Sequence, residues 1–201
     1  MFNYPFRIDI FLIFVILNQF TKYTLMNFRE QLSAELSKRN TDYIASVIGY
    51  DEKLFKEIMD VALSDETHVS GRAFWVVETV WLKYPHLINT YINHLIDFLP
   101  ETKKDNQRRH SLKILSTIDL RELDEDRLGI LIDRCFNWLE DAVNPTAVKM
   151  FAMEIIYNYV VIEPVLASEL IAVIENQFED STPGFKNRGE KLLKKLYKIV
   201  Y

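Results

Sequence analysis

Trp75 and Glu78 are the residues of this 201-residue chain whose types and spacing most invite chemistry. A spacing of three sets them on one face of a helix, an aromatic plate beside a carboxylate. Trp81 lies nearly two turns on, on a different side of that helix. The other reactive groups read as structural. Cys135 shares a helical face with Ile132, Phe136 and Leu139 and has no base near it in sequence, which suits a core thiol rather than a nucleophile. His68, His86, His94 and His110 form no HExxH pair and supply no ligand spacing for zinc, so no metal is expected. The acidic run Glu122, Asp124, Glu125, Asp126 lacks the alternating ligands and glycine of a calcium loop and suits a helix start. Gly184 to Leu192 superficially suggests a phosphate loop. It lacks Lys-Ser/Thr after the second glycine and a preceding strand, so it reads as a loose helix start and no cofactor is expected.

The elements that must carry these groups are helical. From Phe28 onward apolar residues recur at helical spacing, and ten helices are expected near 28–38, 42–49, 52–64, 67–84, 86–99, 106–118, 126–140, 146–162, 165–179 and 185–199. Asp51 and Asp124 suit N-caps, and Pro85, Pro145 and Pro164 suit first turns. Only 5 glycines and 6 prolines argue against an all-β fold or a nucleotide-loop enzyme. The single cysteine and the proline inside the only Asn-x-Thr triplet, Asn144-Pro145-Thr146, suit a reducing, cytoplasmic setting.

Residues 1–25 differ from the rest. They carry three charges, Arg7, Asp9 and Lys22, around the apolar run Ile10 to Leu17, too short to span a bilayer. The segment reads as an apolar N-terminal extension upstream of a translation start at Met26, with a weak signal or anchor as the alternative. Residues 26–201 read as one domain with no membrane segment.

The chain repeats itself. Shifted by 79 residues, Ala73 falls on Ala152, Val76 and Val77 on Ile155 and Ile156, Pro85 on Pro164, Leu95 on Ile174 and Arg109 on Arg188. Half of 79 is about 40, the length of a helix-pair repeat. The stretch Leu63 to Trp75, with Asp65 in the turn, Val69 and Arg72 entering the second helix and Ala73 against the core, resembles the turn of HEAT repeats. Asp141 with Val148-Lys149 and Asp180 with Arg188 are weaker echoes; the second pair departs, with Asp105 only four residues before Arg109. The resemblance, to small helical-repeat proteins of bacteria of the HEAT and armadillo kind, implies an all-α, right-handed α-α superhelix. It would hold about four helix pairs, 52–84, 86–118, 126–162 and 165–199, behind an N-terminal helical cap.

In such a stack the second helices line the concave face. The first helices with their turns carry a net −16 and the second helices +10. The expected shape is therefore an acidic back and a basic groove that engages an acidic segment of a protein partner, with nucleic acid as the alternative. The groove residues expected are Arg72, Lys104, Arg108, Arg109, Lys113, Lys149, Arg188, Lys191 and Lys195. Two readings compete with it: the C-terminal lysines as the solvated face of a capping helix, and Arg72, Arg109, Lys149 and Arg188 as partners of turn aspartates. A distant resemblance to HEAT-like DNA alkylation-repair glycosylases, which use tryptophans, a carboxylate and an arginine in a groove, implies Trp75, Glu78 and Arg109 as catalytic candidates. The chain departs from that family in having Glu for Asp, at different spacing, and fewer repeats. A non-catalytic scaffold is the preferred reading.

Overall fold

Among the described residues, side chains cap five of the eleven α-helices and fix where those five begin. In the computed structural model, which describes residues 26–66 and 68–201, Asn27 opens α1 (Phe28–Ala34) and Ser37 opens α2 (Lys38–Ile48). Asp51 accepts from the Lys53 and Leu54 amides to open α3 (Glu52–Ala62). Asp124 does the same for α8 (Glu125–Glu140) through the Arg127 amide, and Thr182 for α11 (Pro183–Val200) through Phe185. Each such bond satisfies an amide that the helix leaves unpaired. Between them lie α4 (Ser70–Trp81), α5 (His86–Asn89), α6 (Ile92–Phe98), α7 (Asp105–Leu115), α9 (Thr146–Ile162) and α10 (Ala167–Asn176). Short 3-10 turns, Leu120–Glu122 and Pro164–Leu166, precede α8 and α10. No strand occurs among the described residues.

Two boundaries differ most from the sequence expectation. The break between the first two helices falls at Glu35 to Ser37, not near residue 40, because the Ser37 hydroxyl accepts the Asn40 amide. Asn40 itself is buried, with its side chain bound to the Gln31 and Glu35 carbonyls. The helix expected over 86–99 divides at Thr90 and Tyr91, where the Tyr91 ring meets Phe55 edge to face at 5.7 Å. Gly49 ends α2 with φ +52°, a conformation open to glycine, and its amide bonds the Ala45 carbonyl. The expectations for residues 1–25 lie outside the described residues.

The helices pack as pairs. First helices α3, α5 with α6, α8 and α10 form one layer, and second helices α4, α7, α9 and α11 the other, each second helix against the next. Helices α1 and α2 cover the N-terminal end against α3 and α4. The 79-residue repeat is visible as packing: Ala73, Val76 and Val77 on α4 and Ala152, Ile155 and Ile156 on α9 are all fully buried. The fold is an all-α helical-repeat superhelix, with its core between the two layers.

Polar ties link one repeat to the next. Arg72 donates to the Leu32 carbonyl at the end of α1, and Lys104 to the Ser64 carbonyl just past α3, each reaching back 40 residues. Buried Gln107 donates to the Ala62 and Ser64 carbonyls, at 2.9 and 3.1 Å. Asn158 donates to the Ser116 carbonyl at 2.8 Å. These bonds supply the carbonyls that helix ends leave unpaired, and a cation there also suits the helix dipole.

Candidate functional site

Second helices α4, α7 and α9 lie side by side, so residues about one repeat apart in sequence meet on their shared surface. Trp75 and Glu78 from α4, Arg109, His110 and Lys113 from α7, and Ala147 and Phe151 from α9 line a cleft of about 440 Å³. The three catalytic candidates thus sit in one cleft, with two of the expected groove cations, Arg109 and Lys113. Trp81 is apart from them, buried in the core.

A hydrogen-bonded chain runs through the cleft. Arg109 Nη2 lies 2.9 Å from His110 Nε2, and His110 Nδ1 lies 2.7 Å from Glu78 Oε2. A guanidinium only donates, so His110 Nε2 accepts from Arg109 and Nδ1–H donates to the carboxylate. Lys113 Nζ pairs with the other oxygen, Glu78 Oε1. Burial pushes the Glu78 carboxyl up, but the hydrogen bonds from His110 and Lys113, with the Lys113 charge, outweigh it and hold the group below the ordinary glutamate range. Glu78 and His110 are both buried, Lys113 is 40% exposed, and Arg109 is open to solvent. The cleft therefore offers an exposed guanidinium hydrogen-bonded to His110, two aromatic lining residues, Trp75 and Phe151, and a single carboxylate already paired on both oxygens.

The other cations of the expected groove are placed differently. Arg72 and Lys104 hold helix-end carbonyls, as described above. Arg108 turns away from the cleft and donates to Asn144 Oδ1 at 2.9 Å and the Thr102 carbonyl at 3.1 Å, its guanidinium 5.6 Å from the Trp138 ring centre. Lys149 is buried and donates to Gln177 Oε1 at 2.7 Å; burial pushes its amine down, against the pull of Asp141. Arg188 pairs with Glu154 on α9. Lys191 and Lys195 are exposed on α11, the latter with its ammonium 5.0 Å from the Tyr157 ring centre. Of the ladder of basic residues at the starts of second helices, Arg72, Lys149 and Arg188 are thus used within the stack, and Arg109 is not. Arg72 serves a backbone carbonyl and Arg188 a glutamate, not turn aspartates.

His110 and Phe151 belong to the cleft and are not among the residues singled out as its members from sequence. His110 is 32 residues from Glu78, and Lys113 is 35, so each is one helix-pair repeat from its partner. That offset is the signal that finds them. Burial pushes the Cys135 thiol up, as suits a core residue. Among the described residues no three His, Cys, Asp or Glu side chains converge as a metal site, and no helix is long and apolar enough to cross a membrane.

A family model described as a HEAT repeat domain matches residues 28–196. No curated protein and no solved structure matches the chain.

Proposed function

Because the chain belongs to the HEAT repeat family, whose members commonly act as protein-interaction scaffolds, we propose that it is a non-catalytic scaffold whose cleft across α4, α7 and α9 receives an acidic segment of a protein partner. The observation that carries this reading is the exposed Arg109 guanidinium, hydrogen-bonded to His110, in a cleft that Trp75 and Phe151 also line. One of its five N–H groups is taken by His110, and the geometry of the rest suits a carboxylate. An apolar neighbour of that carboxylate would pack on the aromatic walls. The +10 net charge of the second helices, against −16 on the first, draws an acidic chain to this layer. A reducing, cytoplasmic setting suits the buried, unpaired Cys135.

Nucleic-acid binding in the same cleft is the second reading. It is favoured by Trp75, Glu78 and Arg109 sharing one cleft. It is disfavoured by Glu78, because a carboxylate paired with His110 on one oxygen and Lys113 on the other is poorly placed to meet a cationic reaction centre.

Fluorescence anisotropy separates the two. A labelled peptide with glutamates around a leucine and a phenylalanine is titrated beside single- and double-stranded DNA, each at two salt concentrations. Micromolar peptide binding with no DNA binding is expected. DNA binding that falls steeply with salt, with no peptide binding, would overturn the scaffold reading in favour of nucleic acid.

A further inference from the structure

A second cleft, of about 700 Å³, opens where α8, the end of α9, the Pro164–Leu166 turn and the start of α10 meet. Its floor is apolar, with Leu128, Phe136, Ile162 and Leu166, and its rim carries four carboxylates, Glu125, Asp133, Glu163 and Glu169. No Lys, Arg or His lines it. Ile162 is 43% exposed, and its neighbours Val161 and Val165 are 58% and 74% exposed, so apolar surface continues beyond the cleft. Exposed apolar surface with a polar rim is the character of an interaction site.

Gly129 adds an independent sign. It lies within α8, where glycine weakens a helix relative to alanine. A Cβ built on it meets no atom within 4 Å, unlike one on Gly189, which would come to 3.0 Å from Ile174 Cγ2. Packing within the chain therefore gives no reason for a glycine at 129. Its missing side chain deepens the cleft that it lines.

The geometry points to this cleft as the docking site for a basic segment of a partner protein. An apolar side chain of that segment enters over Gly129, and flanking lysines or arginines meet Glu125, Asp133, Glu163 and Glu169. Charge complementarity selects the occupant, since an apolar segment alone leaves four carboxylates unanswered and an acidic one is repelled. This cleft shares no lining residue with the Glu78 cleft, and its occupant is independent of that one's.

The test is anisotropy of a labelled helix-forming peptide of leucine and lysine, with leucine at helical spacing, beside a scrambled peptide of the same composition. The ordered peptide is expected to bind the full chain at micromolar concentration, at least tenfold more tightly than the scrambled one. Gly129→Leu, which fills the floor and favours the helix, and Glu163→Lys, which reverses one rim charge, should each weaken binding at least tenfold. Circular dichroism checks that both variants fold. Equal affinity of the wild-type protein and Gly129→Leu, or no binding of either peptide at low salt, would overturn the proposal. So would concentration-dependent self-association abolished by Gly129→Leu, which would give the cleft to a second copy of the chain.

Discussion

Glu78 shows how one buried carboxylate organises a surface. It takes His110 on one oxygen and Lys113 on the other, and His110 in turn fixes Arg109. Because its folded-state pKa lies below the ordinary value of 4.5, ionised Glu78 stabilises the fold at neutral pH, and that contribution is lost as pH falls through 4.5 and below the folded pKa. Glu78→Gln should cost about 1–3 kcal/mol at pH 7, as expected for disturbing a buried, charged hydrogen bond. Denaturant titrations across the acid range should show wild type losing its advantage over the variant as pH falls. A constant gap between the two would contradict this role. Trp75 and Glu78 stand out in the sequence by type and spacing and Arg109 through a distant resemblance, and the three line one cleft. His110 does not stand out, because its importance lies in a partner 32 residues away, and a histidine with no ligand spacing of its own gives no local sign of that.

At the scale of elements, boundaries follow caps. The helix expected over 146–162 occurs with those bounds, between Pro145 and Glu163. The first two helices were misdrawn because Ser37 captures the Asn40 amide, and periodicity does not register a single hydroxyl hydrogen bond. The short α5 and α6 were read as one helix because their apolar spacing runs on across Thr90. The basic residues at the starts of second helices were visible in the sequence, but their use was not. A lysine that reaches a carbonyl 40 residues back looks the same in sequence as one facing a groove. Gly129 makes an element-scale prediction. With open space above its Cβ, Gly129→Ala should stabilise the fold by about 1 kcal/mol through helix propensity alone. Thermal unfolding measures it, and a lowered Tm would show that the position is more crowded than the structure describes.

The whole molecule is a stack whose period was legible because both copies of the repeat bury the same positions. Ala73, Val76 and Val77, and their counterparts 79 residues on, are all closed to solvent. What the period could not show is which of its charges remain free. Pairing within the stack takes up Arg72, Arg108, Lys149 and Arg188 and leaves Arg109 at the mouth of the cleft. The two clefts then differ in character, a cationic, aromatic one across the second helices and an acidic, apolar one between α8, the end of α9 and α10. The two proposals together make one small stack a joint between two different segments.

The proposed binding of an acidic segment at Arg109, in the cleft that Trp75 and Phe151 also line, is tested most directly by tryptophan fluorescence during titration with the acidic peptide. Trp75 lines the cleft, Trp81 is buried in the core, and Trp138 lies outside the cleft against Arg108. A saturable emission change that disappears in Trp75→Phe is expected, with at least a tenfold loss of affinity in Arg109→Ala and unchanged Tm. Peptide binding of equal affinity in Arg109→Ala, or an emission change that persists in Trp75→Phe, would contradict it.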